Sequence, residues 1–238
     1  MEDTAFWDQT DFSYTVSGDE REIELQVYID AESSCSRTLI ASFQVDSMEM
    51  IESARIPLVS GNNHVPLRQT VRIVKPLLWH PRGSSGQPSL YHFSVVFHQH
   101  GAPFHTIEKR AAIRFLEPRQ KGKQFRMNGA ALPLTACEPD FALEEDALAA
   151  ALTGNLVRLT DTDPELERKL DCCCGSGLVA ALELTGKTAL QRLNTRPGIC
   201  FYTAKSGSPG EKLYRREKQL ALLPFFSHDE LSLWLKHS

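Results

Sequence analysis

The chain has 238 residues, 42% of them hydrophobic and 24% charged, with a formal net charge of −4, the proportions of an ordinary globular protein of one or two domains. So small a net charge gives no electrostatic basis for binding nucleic acid or an anionic membrane surface. The opening MEDTAFWDQTDF is acidic and has no basic region before an apolar core, so no secretory signal is expected; no apolar run nears the roughly 18 residues of a membrane span, and a cytoplasmic protein is expected.

Residues 11–118 carry strand signals. Glu22–Asp30 alternates with period two, and TLIASFQVD, HVPLRQTVRIV and LYHFSVVFHQ are further short runs rich in β-branched and aromatic residues. Turn-forming clusters separate them: Ser17-Gly18-Asp19, Ser60-Gly61-Asn62-Asn63, Gly83-Ser84-Ser85-Gly86 and Gly101-Ala102-Pro103. Short strands with turns at this spacing predict an immunoglobulin-like β-sandwich over 1–118, with no helix in this half. His98 and His100 share a strand face and His105 lies across the short hairpin. Three histidines so placed could hold a metal, but on an exposed hairpin they read more simply as polar surface, and no metal is expected. Arg119-Gln120-Lys121-Gly122-Lys123-Gln124 reads as a solvated linker.

Beyond it the period changes, and 119–238 reads as an α/β domain of about five parallel strands. Leu132–Cys137 is the first strand, and DFALEEDALAAALTG is a helix with Leu148 and Leu152 four apart and Gly154 at its end. Asn155–Thr160 is the second strand. Asp163-Pro164 then opens a helix as N-cap and first helical residue, Leu166, Leu170 and Cys173 share one of its faces, and Gly175 stops it. GLVAALEL is the third strand, TALQRLN a short helix, GICFYT the fourth strand and LALLPFF the fifth. Ser208-Pro209-Gly210-Glu211 fits a capping box, as does Ser227-His228-Asp229-Glu230, which opens a last helix with Leu231, Trp234 and Leu235. Ser208–Lys212 lacks the spacing of a phosphate-binding loop, and no cofactor is expected. Of the six cysteines, Cys172, Cys173 and Cys174 are consecutive. Residues about 100° apart on a helix cannot converge on one ion, so small helix residues are favoured over oxidation-sensitive thiols or metal ligands.

A set of short motifs at the junction of the halves resembles glycoside hydrolase family 2, which includes β-galactosidases, β-glucuronidases and β-mannosidases. Pro76-Leu77-Leu78-Trp79-His80-Pro81 and Gln87-Pro88-Ser89-Leu90-Tyr91 are similar to that family's "NP-x-LW-x-P … P-x-LY". Ala112-Ile113-Arg114 stands for its "GFR", and Phe125, Asn128, Gly129 and Leu134 for its "F-x-x-NG-x-x-x-x-L". Asn155-Leu156-Val157-Arg158 matches "N-x-VR", Asp163-Pro164-Glu165-Leu166 matches "DP-x-L", and Cys173 with Gly177-Leu178 resembles "C-x-x-x-GL". Glu183 stands for the Glu of a "DE" pair, and Arg192 with Arg196-Pro197-Gly198-Ile199 resembles "R-x-x-HP-x-I". The resemblance implies a sandwich followed by the first half of a (β/α)8 barrel, truncated here.

It also implies where catalysis would sit. Retaining glycosidases set two carboxyl groups about 5 to 5.5 Å apart, one as acid/base and one as nucleophile. The family's acid/base is the Glu of an "NE" pair after strand four, where this chain has Ser206 and Gly207. The nucleophile's strand seven has no counterpart, so both family positions are degenerate or absent and no catalytic residue is expected. Asp161 stands where the family has a substrate-side His, Glu138 and Asp140 where it has Asn and His, and Cys174 where it has Asp. Glu138, Asp140, Arg158, Asp161 and Glu183 lie near predicted strand ends and are the candidate ligand-binding residues. Arg158, matched to a buried family arginine, reads first as a structural ion pair with Glu183 or Asp161.

Two functions follow. The first is a non-catalytic, degenerate relative that binds carbohydrate or another protein. The second is a glycoside hydrolase working through non-standard carboxylates among Glu138, Asp140, Asp161 and Glu183, two of which would face each other across a cleft. Five β/α units cannot close an eight-stranded barrel, so a homodimer or a partner protein covering the open sheet edge is expected.

Overall fold

The computed structural model describes residues 4–116, 126–188, 198–217, 225–229 and 231. The linker at 119–124, Phe125, Arg192, Arg196, Pro197, most of TALQRLN, the start of LALLPFF, and Trp234 and Leu235 lie outside the described residues. The chain forms two compact units, Met1–Pro76 with Tyr91–Ala111, and Leu77–Leu90 with Ala112–Ser238.

The first unit is a pair of antiparallel sheets. Helix α1 (Thr4–Asp8) precedes β1 (Thr10–Gly18), β2 (Glu22–Ser33), β3 (Arg37–Val45), β4 (Met48–Leu58), β5 (Gly61–Pro66), β6 (Val71–Val74), β7 (Tyr91–Gln99) and β8 (Ala102–Ala111). One sheet has the order β1-β2-β5 with β6 also on β2, and the other β4-β3-β7-β8. The period-two pattern of β2 buries Ile23, Leu25, Val27 and Ile29 completely, and every second residue of a strand faces one side. The two sheets meet through aromatic edges, Phe12 against Phe43 at 6.3 Å and Tyr14 against Phe93 at 5.1 Å. Helix α1 corrects the expectation that this half has none. It carries Trp7, whose ring packs on Phe97 at 5.2 Å and His105 at 4.9 Å.

The histidines of the β7–β8 hairpin are used separately. His98 Nε2 hydrogen-bonds the buried Ser42 Oγ at 2.9 Å, His105 packs on Trp7, and His100 occupies the turn at φ 52°. Among the described residues no group of three His, Cys, Asp or Glu is placed to hold a metal ion.

The second unit is built on a parallel sheet, β11 (Leu156–Thr160), β12 (Val179–Glu183), β13 (Ile199–Ala204) and β14 (Phe225–Ser227), in that order, after a small hairpin of β9 (Arg126–Met127) and β10 (Ala130–Ala131). Among the described residues the sheet has four strands rather than the expected five, because Leu132–Cys137 meets β11 there through a single parallel bridge, Ala136 to Leu156. The Asn155 side chain takes the bonds a ladder would have made, accepting from the Thr135 amide at 2.8 Å and donating to the Pro133 carbonyl at 2.9 Å.

One sheet face carries Val157, Leu159, Ala180, Leu182, Tyr202 and Ala204 and packs on α2 (Glu145–Ala151), α3 (Leu166–Ser176) and α4 (Pro209–Arg216). The other carries Leu156, Val179, Ala181, Phe201 and Phe226 and is covered by Trp79, Met127, Leu132, Leu134 and Leu231. Cys173 and Cys174, adjacent on α3, enter different clusters, as their angular offset requires. Burial, and then the neighbouring cysteines, raise the Cys173 thiol well above the ordinary range.

Helix boundaries differ from the pattern. Helix α2 is confined to Glu145–Ala151, and α3 begins at Leu166. Asp163 stands before it, accepting from the Glu165 amide at 2.9 Å and pairing with Lys169 at 2.7 Å. Gly177, not Gly175, ends α3: it takes φ 72°, and the following Leu178 amide returns to the Cys173 carbonyl. Gly175 lies inside α3 with the Glu145 carboxylate end beside it.

The residues of the LW and GFR motifs belong to this second unit. Trp79 is buried, donates its indole N–H to the Cys174 carbonyl at 2.7 Å, and has its backbone held by Ile113 and Asn128. Arg114 lies over the Trp79 ring at 5.4 Å and donates to the Ile199 carbonyl at the start of β13. Among the described residues no helix is long and apolar enough to cross a membrane.

Candidate functional site

The C-terminal ends of the parallel strands gather the polar residues of the second unit. Thr160, Glu183 and Thr203 are in register across β11, β12 and β13, and residues paired in this way share one face. Phe226 continues the row on β14. Thr203 is wholly buried, and its Oγ1 has no hydrogen-bond partner. Glu183 is a third exposed, and its Oε1 lies 3.5 Å from His228 Nε2.

Asp161 follows β11. Its amide donates to the Glu183 carbonyl at 3.1 Å, tying the ends of β11 and β12 together. Its Oδ1 accepts from the Thr185 amide at 3.1 Å, its backbone carbonyl accepts from Thr188 Oγ1, and Oδ2 is buried without a partner. The carboxylate thus organises the loop after β12.

Arg158 is exposed, not buried, and no ion pair joins it to Glu183 or Asp161. It stands on β11, the edge strand of this sheet among the described residues, which meets the preceding segment through the bridge from Ala136 to Leu156. Glu138 and Asp140 are also exposed, and Asp140 Oδ1 closes a turn by accepting from the Ala142 amide at 3.0 Å.

Ser206 and Gly207 form the exposed turn between β13 and α4. Gly207 takes φ 76°, and its amide donates to Glu211 Oε2 at 2.6 Å. Ser208 is the N-cap, its Oγ accepting from the Glu211 amide, with Pro209 opening the helix. Half of the expected capping box forms: the Glu211 carboxylate takes the Gly207 amide, one residue before the cap, while the Ser208 amide donates to the Lys205 carbonyl. That amide first, and then Arg215, hold the Glu211 carboxyl below its ordinary range. The turn is therefore committed to starting α4.

Of the candidate residues, Glu183 and Asp161 are brought together through the backbone; Arg158, Glu138 and Asp140 stay on the surface. The sequence pattern passes over Thr203 and His228. Thr203 looks like one more residue of a buried strand and His228 like part of a helix start, although position just past a strand end was the available signal. Together Glu183, Thr203 and His228 offer one carboxylate, one hydroxyl and one imidazole. That set can bind hydroxyl groups and holds a single carboxylate.

No protein-family profile matches the sequence, and no curated protein matches it. Solved structures do. A complex of the exo-β-D-glucosaminidase CsxA matches with a TM-score of 0.68 at 16% identity, over 92% of this chain and 32% of that one. The β-D-mannosidase from Dictyoglomus thermophilum matches at 0.66 and 17% identity, over 92% and 35%. A calcium-binding mutant of Bacteroides uniformis β-glucuronidase 2 matches at 0.61 and 17% identity, over 95% and 32%. A β-glucuronidase from glycoside hydrolase family 2 is also similar, with a TM-score of 0.67 at 15% identity. The chain spans about a third of the length of these enzymes. At such identities the likeness is one of fold.

Proposed function

We propose that the chain is a non-catalytic relative of the family 2 glycoside hydrolases, whose α/β unit corresponds to the first strands of their barrel and binds a carbohydrate at the strand ends. The observation that carries this is the turn after β13. Where the family's motif would set an acid/base glutamate, Gly207 sits at φ 76° with its amide bonded to Glu211, and a side chain at that φ is strained. Three of the other candidate carboxylates already have polar neighbours: Asp161 accepts from the Thr185 amide, Asp140 accepts from the Ala142 amide, and Glu183 lies 3.5 Å from His228. Loss of general acid help costs about 10²- to 10⁴-fold in rate, while Glu183 and Thr203 keep the acceptor and donor capacity that a sugar hydroxyl uses. In this reading a second copy or a partner protein also docks along an edge of the parallel sheet.

The test is an assay with nitrophenyl β-galactoside, β-glucuronide and β-mannoside. Release at the rate of heat-denatured protein is expected. Release well above that control, abolished by Glu183→Gln, overturns the reading in favour of hydrolysis.

A further inference from the structure

His228 leaves the sheet directly after β14, yet its Nε2 lies 3.5 Å from Glu183 Oε1 on β12. The strand order is β12-β13-β14, so the contact spans β13. Adjacent strands are about 4.8 Å apart, which makes the span about 10 Å, the combined reach of the two side chains. The residue of β13 in register with Glu183 is Thr203, wholly buried, with Oγ1 lacking a partner. His228 Nε2 is likewise shut off from solvent with no hydrogen bond, its distance from the carboxylate being too long for a good one. Three residues on, Leu231 is wholly buried in the cluster that contains Phe201 and Phe226. His228 and Leu231 thus both lie over the same sheet face, the one through a polar contact and the other through an apolar one.

Buried polar groups in native proteins are nearly always bonded. Thr203 Oγ1, on the residue in register with Glu183, and His228 Nε2, 3.5 Å from the Glu183 carboxylate, mark a place that another polar group completes. We propose that His228 and Leu231 form a strap closing over a ligand position made by Glu183 and Thr203. A ligand hydroxyl that donates to Glu183 and accepts from Thr203 displaces His228 from Glu183. The strap rests on the contacts above; the choice of a sugar hydroxyl rests on the carbohydrate-binding reading.

Hydrogen exchange on the full chain separates the two. The Leu184 amide bonds the Thr203 carbonyl beneath the strap, and the Val179 amide bonds the Asn155 carbonyl at the other end of the same sheet. In His228→Ala and in Leu231→Ala, exchange at Leu184 is expected to rise at least tenfold while Val179 keeps the wild-type rate. An unchanged Leu184 in both variants overturns the strap, and so does equal acceleration at both amides, which means loosening of the whole sheet. In parallel, methyl β-galactoside, β-glucuronide and β-mannoside are titrated into wild type, His228→Ala and Thr203→Val. One of them is expected to bind His228→Ala at least as tightly as wild type and to lose Thr203→Val by tenfold or more. Faster exchange without sugar binding keeps the strap and refutes the carbohydrate reading; sugar binding without faster exchange does the reverse.

Discussion

At the residue scale, single side chains knit the second unit together, and their effects can be measured one at a time. Trp79→Phe keeps a six-membered aromatic ring but removes the indole's five-membered ring with its N–H, so the Cys174 carbonyl loses that bond. A loss of about 1 to 3 kcal/mol is expected from such a buried bond, read by urea denaturation. Asp163 adds a pH dependence. The Lys169 ammonium first, and then the Glu165 amide, hold its carboxyl below the ordinary value. A lowered folded-state value means that the stabilisation is complete above the unfolded pKa of about 3.9 and is lost as pH falls from there through the lower folded value. Asp163→Asn is therefore expected to lower stability by about 0.5 to 1 kcal/mol at pH 7, with the difference from wild type shrinking below about pH 3.9; denaturation curves at pH 7 and pH 3 check this. Motif spacing singled out Trp79, Asn128 and Asn155 in the sequence. Their hydrogen bonds were not legible there, because each partner lies tens of positions away, as Cys174 does from Trp79.

At the element scale, what is local in sequence is what the pattern predicts well. The Ser208 N-cap of the Ser208–Glu211 motif forms as read, since cap and partner amide lie three residues apart, while the Glu211 carboxylate turns to the Gly207 amide. The end of α3 shows the limit. Gly175 and Gly177 are both credible stops, and only the backbone φ of 72° at Gly177 decides between them. Gly177→Ala is expected to cost about 1 to 2 kcal/mol, through the left-handed backbone. Strand β4, unsignalled by period two, buries only Ile51, Ile56 and Leu58, because bulges shift its register on β3. The turn at Ser206-Gly207 belongs to this scale too. Ser206→Asn with Gly207→Glu writes the family's residue pair back into the chain. The double variant is expected to remain as inactive as wild type on nitrophenyl β-glycosides and to be less stable by about 1 to 2 kcal/mol, since Glu would occupy a φ that only glycine adopts freely.

At the scale of the whole molecule, order and spacing of weak motifs pointed to the fold, and the likeness to family 2 structures over 92% of the chain agrees with them. The candidate site was only half legible. Strand ends could be found from the pattern, so Glu183 and Asp161 were named; the register that sets Thr203 beside Glu183, and the return of His228 over β13, depend on pairings between distant segments. The expected edge docking is checked by light scattering: a dimer or larger assembly supports it, and a monomer with both edges bare contradicts it. The central claim is that the strand ends hold a sugar without cleaving it. Proton NMR of methyl β-galactoside, β-glucuronide and β-mannoside mixed with the protein tests both halves at once. The anomeric signal of one glycoside is expected to broaden with wild type, stay sharp with Thr203→Val, and keep its full intensity on long incubation. Appearance of free-sugar anomeric signals, or no broadening with any of the three, would contradict it.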